Sequence, residues 1–478
     1  MASPVPQRSV SCQAGRSVVK ALDKAFQIIS REFSLTDDQP SYDGDCLSVR
    51  ERWDKWTSSV KLKGRKKKRF DACVKGCKRI FDLPCARCDK LSSSEARRVW
   101  MSRAEKDCTH QDVIASFYSE RLKRHIRELS GGWGKELERC RKEEKNIERG
   151  SDVYVPDQQG CLETTSFCGG TLATLDSECV HPAGRVRVGV AKQKGKFRVV
   201  TMQSSRVKEI LRPVHNALYD YVSSFGWCVR GEVTKEDFES VVRGGSTDEK
   251  IISGDYESAT DNIYLPAVRA IVDVLSEDPY LTELERVTLQ ESFQDLHWYS
   301  MTGQLHKIKR GSMMGNLVSF PILCLLNKSC HDMSSDIVYG KESRRVGRFN
   351  GDDCVFLGNA KMYDTWRRVT SLFGLVVNEK KTGFSDRYAE LNSRTYDVYR
   401  SSFVSKPYFS FLLPSSDSPG EILTSVLNGI KDLKVDLQLW IVNVLMRHEI
   451  SLRGFTLSNI PSFWVNILKK RKWFRDVA

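Results

Sequence analysis

The chain has 478 residues, enough for several domains or one multi-lobed enzyme, and its longest apolar stretch, "LVSFPILCLL" (317–326), is too short to span a bilayer. Its formal net charge of +14 favours a polyanionic partner, nucleic acid above all, over an acidic or neutral one. Fifteen cysteines, an odd number without the apolar core of a signal peptide, argue against a disulfide framework and for a reducing setting.

Residues 1 to about 150 are polar and charge-rich. The first 22 lack acids and carry Arg8, Arg16 and Lys20, a faint likeness to a transit peptide that reads more simply as a disordered terminus. The run "KLKGRKKKRF" (61–70) suits RNA phosphates or a solvated face. Next, "CVKGCKRIFDLPCARC" holds Cys73, Cys77, Cys85 and Cys88, two close pairs that make a candidate structural zinc site unless they are reduced free thiols. Residues 95–147 have mixed charges and few breakers and read as helix. From "YVPDQQGC" (154–161) glycines and β-branched residues increase, and "GKFRVVTM" (195–202) reads as a strand. In "KQKGKFRVVT" the residues Lys192, Lys194, Lys196 and Arg198 alternate as if on one face of a strand, with Arg206 and Arg212 following. Such a cluster neutralises a triphosphate, or simply protects a basic edge strand from aggregation.

"EKIISGDYES" (249–258) reads as a strand ending at acids, and "LPAVRAIVDVL" (265–275) has helical spacing. "KRGSMMGNLVSFPILCLLN" (309–327) places Gly311 and Gly315 in a loop before an apolar helix, where backbone can approach a ligand and Asn316 and Ser319 can hydrogen-bond it. "RVGRFNGDDCVFLG" (345–358) reads as two short strands about a Gly-Asp turn. The tail from Ile422 reads as helices. Strands and helices mix without regular alternation, which predicts an α+β fold.

Adjacent carboxylates at Asp352 and Asp353, between apolar flanks, require a compensating charge. Carboxylates with water and phosphate suit Mg²⁺ or Mn²⁺, and a third acid would complete a pair of ions about 3.5–4 Å apart for in-line phosphoryl transfer. Asp255 ends another predicted strand and is the candidate. Asp261, six residues on, can accept from a ribose hydroxyl or merely cap a helix. Lys381, in "GLVVNEKKTGFS", can give a proton to a leaving pyrophosphate or lie idle on the surface.

Each piece alone is unspecific, but the order is not. Basic strand, Asp-x5-Asp, glycine loop with Ser, Gly-Asp-Asp hairpin and trailing Lys resemble motifs F, A, B, C and D of viral RNA-dependent RNA polymerases. The wording "SGDYESATDN", "GSMMGNLVSFP", "NGDDCVFLG" and "NEKKTGFS" is similar to that of ourmia-like viruses (botourmiaviruses), relatives of narnaviruses and leviviruses, over about residues 154–410. The resemblance implies a right-hand fold of fingers, palm and thumb. It would divide the chain into a basic, partly helical extension (1–150), fingers (151–250), palm with motif A (251–264), a fingers insertion or palm helix (265–308), palm with motifs B to E (309–400) and a helical thumb (401–478). "ELNSRTYDVYR" (390–400) would form the palm–thumb junction, and "PDQQGCLETTSFCGGT" (156–171) resembles a template-entry segment.

It further implies templated nucleotidyl transfer from NTPs to RNA with two Mg²⁺ or Mn²⁺ ions, on single- and double-stranded RNA, in replication of a positive-strand genome in the host cytoplasm. Asp255 and Asp352 would be the principal metal ligands and Asp353 a supporting one. Asp261, Asn316 and Ser319 would read the ribose, Lys194, Lys196, Arg198 and Arg206 the triphosphate, and Lys381 would be the general acid. One departure stands out: picorna-like polymerases carry Asn four residues after the motif B Ser or Thr, where this chain has Leu323. Two alternatives remain in view. A reverse transcriptase usually has an aromatic residue two places before its paired aspartates, where this chain has Asn350. A non-catalytic RNA-packaging protein needs the basic surface but not the ordered aspartates.

Overall fold

The computed structural model describes residues 10–149, 159–174, 181–300, 302–413 and 421–477, with backbone alone for 143–149. The first part of the template-entry segment, 156–158, lies outside them. The fold is α+β, as the sequence predicts. Its strands are β1 (Arg185–Gln193), β2 (Lys196–Met202), β3 (Lys250–Gly254), β4 (His297–Tyr299), β5 (Leu305–Lys307), β6 (Gly347–Asn350), β7 (Asp353–Gly358), β8 (Gly383–Ser385), β9 (Tyr388–Leu391), β10 (Arg394–Asp397) and β11 (Ser402–Phe403). They form sheets ordered β2-β1-β4-β5, β6-β7-β3-β8 and β11-β10-β9. The chain divides into two compact units: residues 1–95, 191–198 and 404–478, and residues 96–190 and 199–403.

In the second unit, the sheet β6-β7-β3-β8 is antiparallel throughout. Its central strands are apolar on both faces because both are covered. Ile252, Cys354 and Phe356 point into a core built with helices Leu265–Ser276, Ser319–Tyr339 and Ala360–Leu372. Their neighbours Ile251, Val355 and Leu357 point the other way, toward Phe238 and Tyr396, which stack 5.3 Å apart. This is the period-2 alternation of a strand. Trp366 is the floor plate of the larger core: its ring lies 5.3 Å from Phe356 and 5.6 Å from Tyr256. A Cβ on Gly254 would come within 2.7 Å of it, so the last residue of β3 has to be glycine.

Helix Ser319–Tyr339 is buried along nearly its whole length, including charged residues. Those charges are paired, as burial demands. Asp332 accepts from Lys328 and from His331 Nδ1 (2.9 Å), and Arg344 forks onto Asp336 at 2.8 and 2.7 Å.

The first unit corrects four expectations. The N-terminal stretch expected to be disordered forms helix Gln13–Phe33 from its thirteenth residue and buries Val18, Leu22, Ile28 and Phe33; residues 1–9 lie outside the described set. That helix shares one core with Trp53, Phe70 and the C-terminal helices, through Phe409, Leu423, Ile441 and Phe474. Part of the basic run is structural, since Arg69 pairs with the fully buried carboxylate of Glu32. The four-cysteine grouping also changes. Cys73 and Cys77 are buried in that core, Cys77 Sγ donating to the Cys73 carbonyl (3.5 Å), whereas Cys85 and Cys88 lie beside Cys12 and Cys46. Finally, Lys192, Lys194, Lys196 and Arg198 do not share one strand face. The chain reverses at Lys194 (φ +51°) and Gly195 (φ +68°), between β1 and β2. Lys192 is held by the Leu83 carbonyl and Asp89 (2.8 Å each), and Gly195 N–H by Asp82 (2.7 Å). Lys196 and Arg198, two apart on β2, do share an exposed face.

Because Trp366 fills the contact between sheet and helices, Trp366→Ala is expected to destabilise the second unit by about 3–5 kcal/mol. A fall in urea midpoint at unchanged m-value is the check.

Candidate active site

The antiparallel register between β3 and β7 brings the acids together. Gly254 pairs with Cys354, so the next residue outward on each strand, Asp255 and Asp353, faces its counterpart at the same sheet edge. Asn350 pairs with Asp353 across the β6–β7 hairpin, leaving Gly351 and Asp352 as its two-residue turn. Gly351 adopts φ +60°, a left-handed conformation that glycine takes at no steric cost. A Cβ there would also meet the Phe320 ring at 2.8 Å. Asp352 is exposed at the tip and Asp353 half-buried.

The electrostatics are those of crowded carboxylates that oppose one another's ionisation. Burial, then the charges of Asp352 and Asp255, push the Asp353 carboxyl up to about 7. Asp255 Oδ2 accepts from Lys381 Nζ at 2.6 Å. Among the described residues, the sets of ligand atoms lying within 4.8 Å of one another do not include the three carboxylates. Lys381 is thus an internal counter-ion for one acid, while Asp353 keeps its proton well above the usual carboxylate range. Crowded hard oxygen donors of this kind fit divalent cations such as Mg²⁺ or Mn²⁺.

Several residues that hold this arrangement carry no motif signature. Asn327, fully buried on helix Ser319–Tyr339, accepts from Tyr256 Oη (2.7 Å) and donates to the Gly351 carbonyl (3.0 Å). One amide therefore joins the residue after Asp255 to the turn before Asp352. Cys324 Sγ accepts from Gly351 N–H (3.2 Å). Asp255 N–H donates to Thr382 Oγ1 (3.3 Å), and its carbonyl accepts from Asn378 N–H (2.8 Å). The only sequence signal for Asn327 is a polar residue within an apolar helical run, one turn beyond Leu323.

The glycine loop is clamped from two sides. Gly311 and Ser312 N–H groups donate to the carbonyls of Ile263 and Thr260 (2.8 Å each), tying it to the loop that carries Asp261. Thr201 of β2 donates through its N–H to the Met314 carbonyl (2.6 Å) and through its hydroxyl to Asn316 Oδ1 (2.9 Å). Gly315 has φ +111°, and a Cβ there would run into the Thr201 carbonyl. Ser319 is buried and donates to the Ser312 carbonyl. Polar atoms left buried without a partner here include Asp261 Oδ1, Ser312 Oγ and Asn316 Nδ2. Burial raises the Asp261 carboxyl to about 6 despite the Arg103 guanidinium.

The predicted triphosphate cations fare unevenly. Arg206 is exposed and pairs with Glu209 (2.9 Å). Lys194, Lys196 and Arg198 belong to the hairpin tip in the first unit. Within the second unit a cleft of about 1230 Å³ is lined by Arg97, Glu163, Arg187, Lys208, Thr201 and Gly315, among others. It touches the glycine loop but not the three aspartates.

The site's class is thus a carboxylate-edged antiparallel sheet able to gather divalent cations. No protein-family model matches the chain. The chain is 29% identical over 234 residues to the RNA-dependent RNA polymerase of Ourmia melon virus (isolate Melon/Iran/VE9), covering 42% of this chain and 26% of that protein. It is 29% identical over 165 residues to the RNA-directed RNA polymerase of Saccharomyces 20S RNA narnavirus, covering 33% and 20%. The chain therefore spans about a quarter or less of the curated relatives it matches. Similar solved structures include the crystal structure of the RNA-dependent RNA polymerase of a human picorbirnavirus (TM-score 0.43, 16% identity, 62% of this chain and 60% of that one). Another is the RNA-dependent RNA polymerase of BmCPV at its elongation state (TM-score 0.37, 10% identity, 51% and 24%).

Removing the Asn327 amide strands the Tyr256 hydroxyl and the Gly351 carbonyl. Asn327→Ala is expected to cost about 2–4 kcal/mol and to weaken Mn²⁺ binding with all three carboxylates intact, as titration calorimetry would read. A second expectation concerns pH. Folded Asp353 keeps its proton up to about 7, while an unfolded aspartate loses it near 4, so between these values the native state binds more protons. Metal-free stability should therefore fall as pH rises from about 4 to about 7. Asp261 contributes in the same sense up to about 6. Asp353→Asn should flatten the decline between about 6 and 7 in thermal melts.

Proposed function

We propose that this chain is an RNA-directed RNA polymerase, a viral replicase that extends RNA on an RNA template. The observation that carries the reading is the β3–β7 register, which sets Asp255 opposite Asp353 and beside the Asp352 turn. The resemblance to the ourmiavirus and narnavirus polymerases supports it.

Asp255, Asp352 and Asp353 would hold two Mg²⁺ or Mn²⁺ ions. When bound, such a pair supplies Lewis-acid stabilisation of the attacking and leaving oxygens in an in-line displacement. The remaining chemistry belongs to the chain. Lys381, which donates to Asp255 Oδ2 (2.6 Å), would be the proton donor to the departing pyrophosphate. Asp261 and Asn316, each with a buried unpaired polar atom, offer an acceptor and a donor to the ribose hydroxyls, and Ser319 braces the loop between them. Arg206 attracts the triphosphate, and the cleft with Arg187 and Lys208 takes the template strand.

The test is labelled-nucleotide incorporation on single-stranded RNA with Mg²⁺ or Mn²⁺. Wild type should give template-length product from NTPs. Asp352→Ala and Asp255→Asn should each lose at least about a thousandfold in rate while still binding RNA. Lys381→Leu should lose about a hundredfold in rate. Equal product from wild type and Asp352→Ala sinks the assignment, and preference for dNTPs turns it toward reverse transcription.

A further inference from the structure

Outside the acid site, the first unit holds the densest group of metal-ligating side chains among the described residues. Sγ atoms of Cys12, Cys46, Cys85 and Cys88 lie within 4.8 Å of one another. Cys12 and Cys46 sulfurs are 3.4 Å apart, and Cys88 and Cys12 sulfurs 3.9 Å. A disulfide needs about 2.05 Å, so these are free thiols. Four sulfurs at about 2.3 Å from one zinc ion, at tetrahedral corners, are about 3.8 Å apart. The measured separations bracket that edge, and the group is too tight to surround a multi-iron cluster.

The backbone is built for the convergence. A parallel bridge joins Val10 to Gly44, and Ser11 N–H donates to the Gly44 carbonyl (2.6 Å). Two residues further along each strand of this bridge stand Cys12 and Cys46. Cys12 caps helix Gln13–Phe33 and Cys46 is the first residue of helix Cys46–Ser59. Cys85 precedes, and Cys88 lies in the first turn of, helix Ala86–Ala104. Three helix N-termini thus converge on the sulfurs, and backbone N–H groups at these starts reach them. Gly15 N–H donates to Cys12 Sγ (3.3 Å), the Cys88 amide to Cys85, and the Cys46 amide to Cys88. A Cβ on Gly15 would sit 2.9 Å from Cys12 Sγ, so the cradle has room for the sulfurs only because that residue is glycine.

We propose that Cys12, Cys46, Cys85 and Cys88 bind a single structural zinc ion as a tetrahedral four-thiolate site. The ion would pin the starts of three helices together. It would also brace the β1–β2 tip, because Asp89 accepts both from Cys85 N–H (3.0 Å) and from Lys192 Nζ (2.8 Å). Cys73 and Cys77, although nearest in sequence to the Cys85 pair, take no part.

Full-length protein, purified reduced and without chelator, should carry about one zinc per chain by mass-spectrometric metal analysis. Cobalt(II) substitution should give the intense visible bands of a tetrahedral site together with sulfur-to-cobalt charge transfer. Cys46→Ser and Cys88→Ser should each lower zinc content to below about a tenth of wild type, while Cys73→Ser keeps it. Wild-type stoichiometry and the cobalt spectrum stand even if a variant fails to fold. Reduced wild type that holds no zinc and takes up no cobalt overturns the proposal. So does loss of metal in Cys73→Ser with retention in Cys46→Ser, or a mapped Cys12–Cys46 disulfide in the purified protein.

Discussion

The pairing of β3 with β7 is the constraint on which the candidate site depends. It forces carboxylates onto one sheet edge, where mutual repulsion and partial burial oppose ionisation. Everything around that edge offsets this cost. Lys381 neutralises one acid from outside, and Asn327 and Cys324 hold the hairpin turn from below. Trp366 fills the space that Gly254 leaves open. A register shift of one residue would send Asp255 to the wrong face and break the apolar alternation on both sides of the sheet.

The two loops flanking the acids are not independent. Thr201, the glycine loop and the Thr260–Ile263 segment are joined through backbone hydrogen bonds. A ligand that pairs with Asp261 Oδ1 or Asn316 Nδ2 therefore acts on a cross-linked assembly. The orphaned atoms are a local cost that a polar ligand would relieve.

What the sequence makes legible is mostly local. The Gly-Asp-Asp hairpin, the strand ending at Asp255 and the apolar helix after the glycine loop are each specified within about ten residues, where turn chemistry and periodicity operate. The misread segments fail for identifiable reasons. In "KQKGKF" the alternation of lysines outweighed the Lys-Gly pair that turns the chain. In the cysteine-rich segment, proximity in sequence favoured Cys73 and Cys77, whereas the partners of Cys85 and Cys88 lie some forty and seventy residues upstream and are brought in by a bridge with no signature of its own. Asn327 was invisible because a lone polar residue in an apolar helix gains meaning only from what sits across from it.

The composition of the first unit has a consequence for the order of synthesis. Its core joins Leu22, Trp53 and Phe70 to Phe409, Leu423 and Phe474. Made before residues 409–474, helices Gln13–Phe33 and Cys46–Ser59 must wait for that later segment before their apolar faces can be covered. The second unit, complete once residue 403 has been made, is free to close earlier. Nascent chains stalled before about residue 404 would present those faces to chaperones, so yield in a cell depends on what shelters the early helices until residues 409–474 have been made.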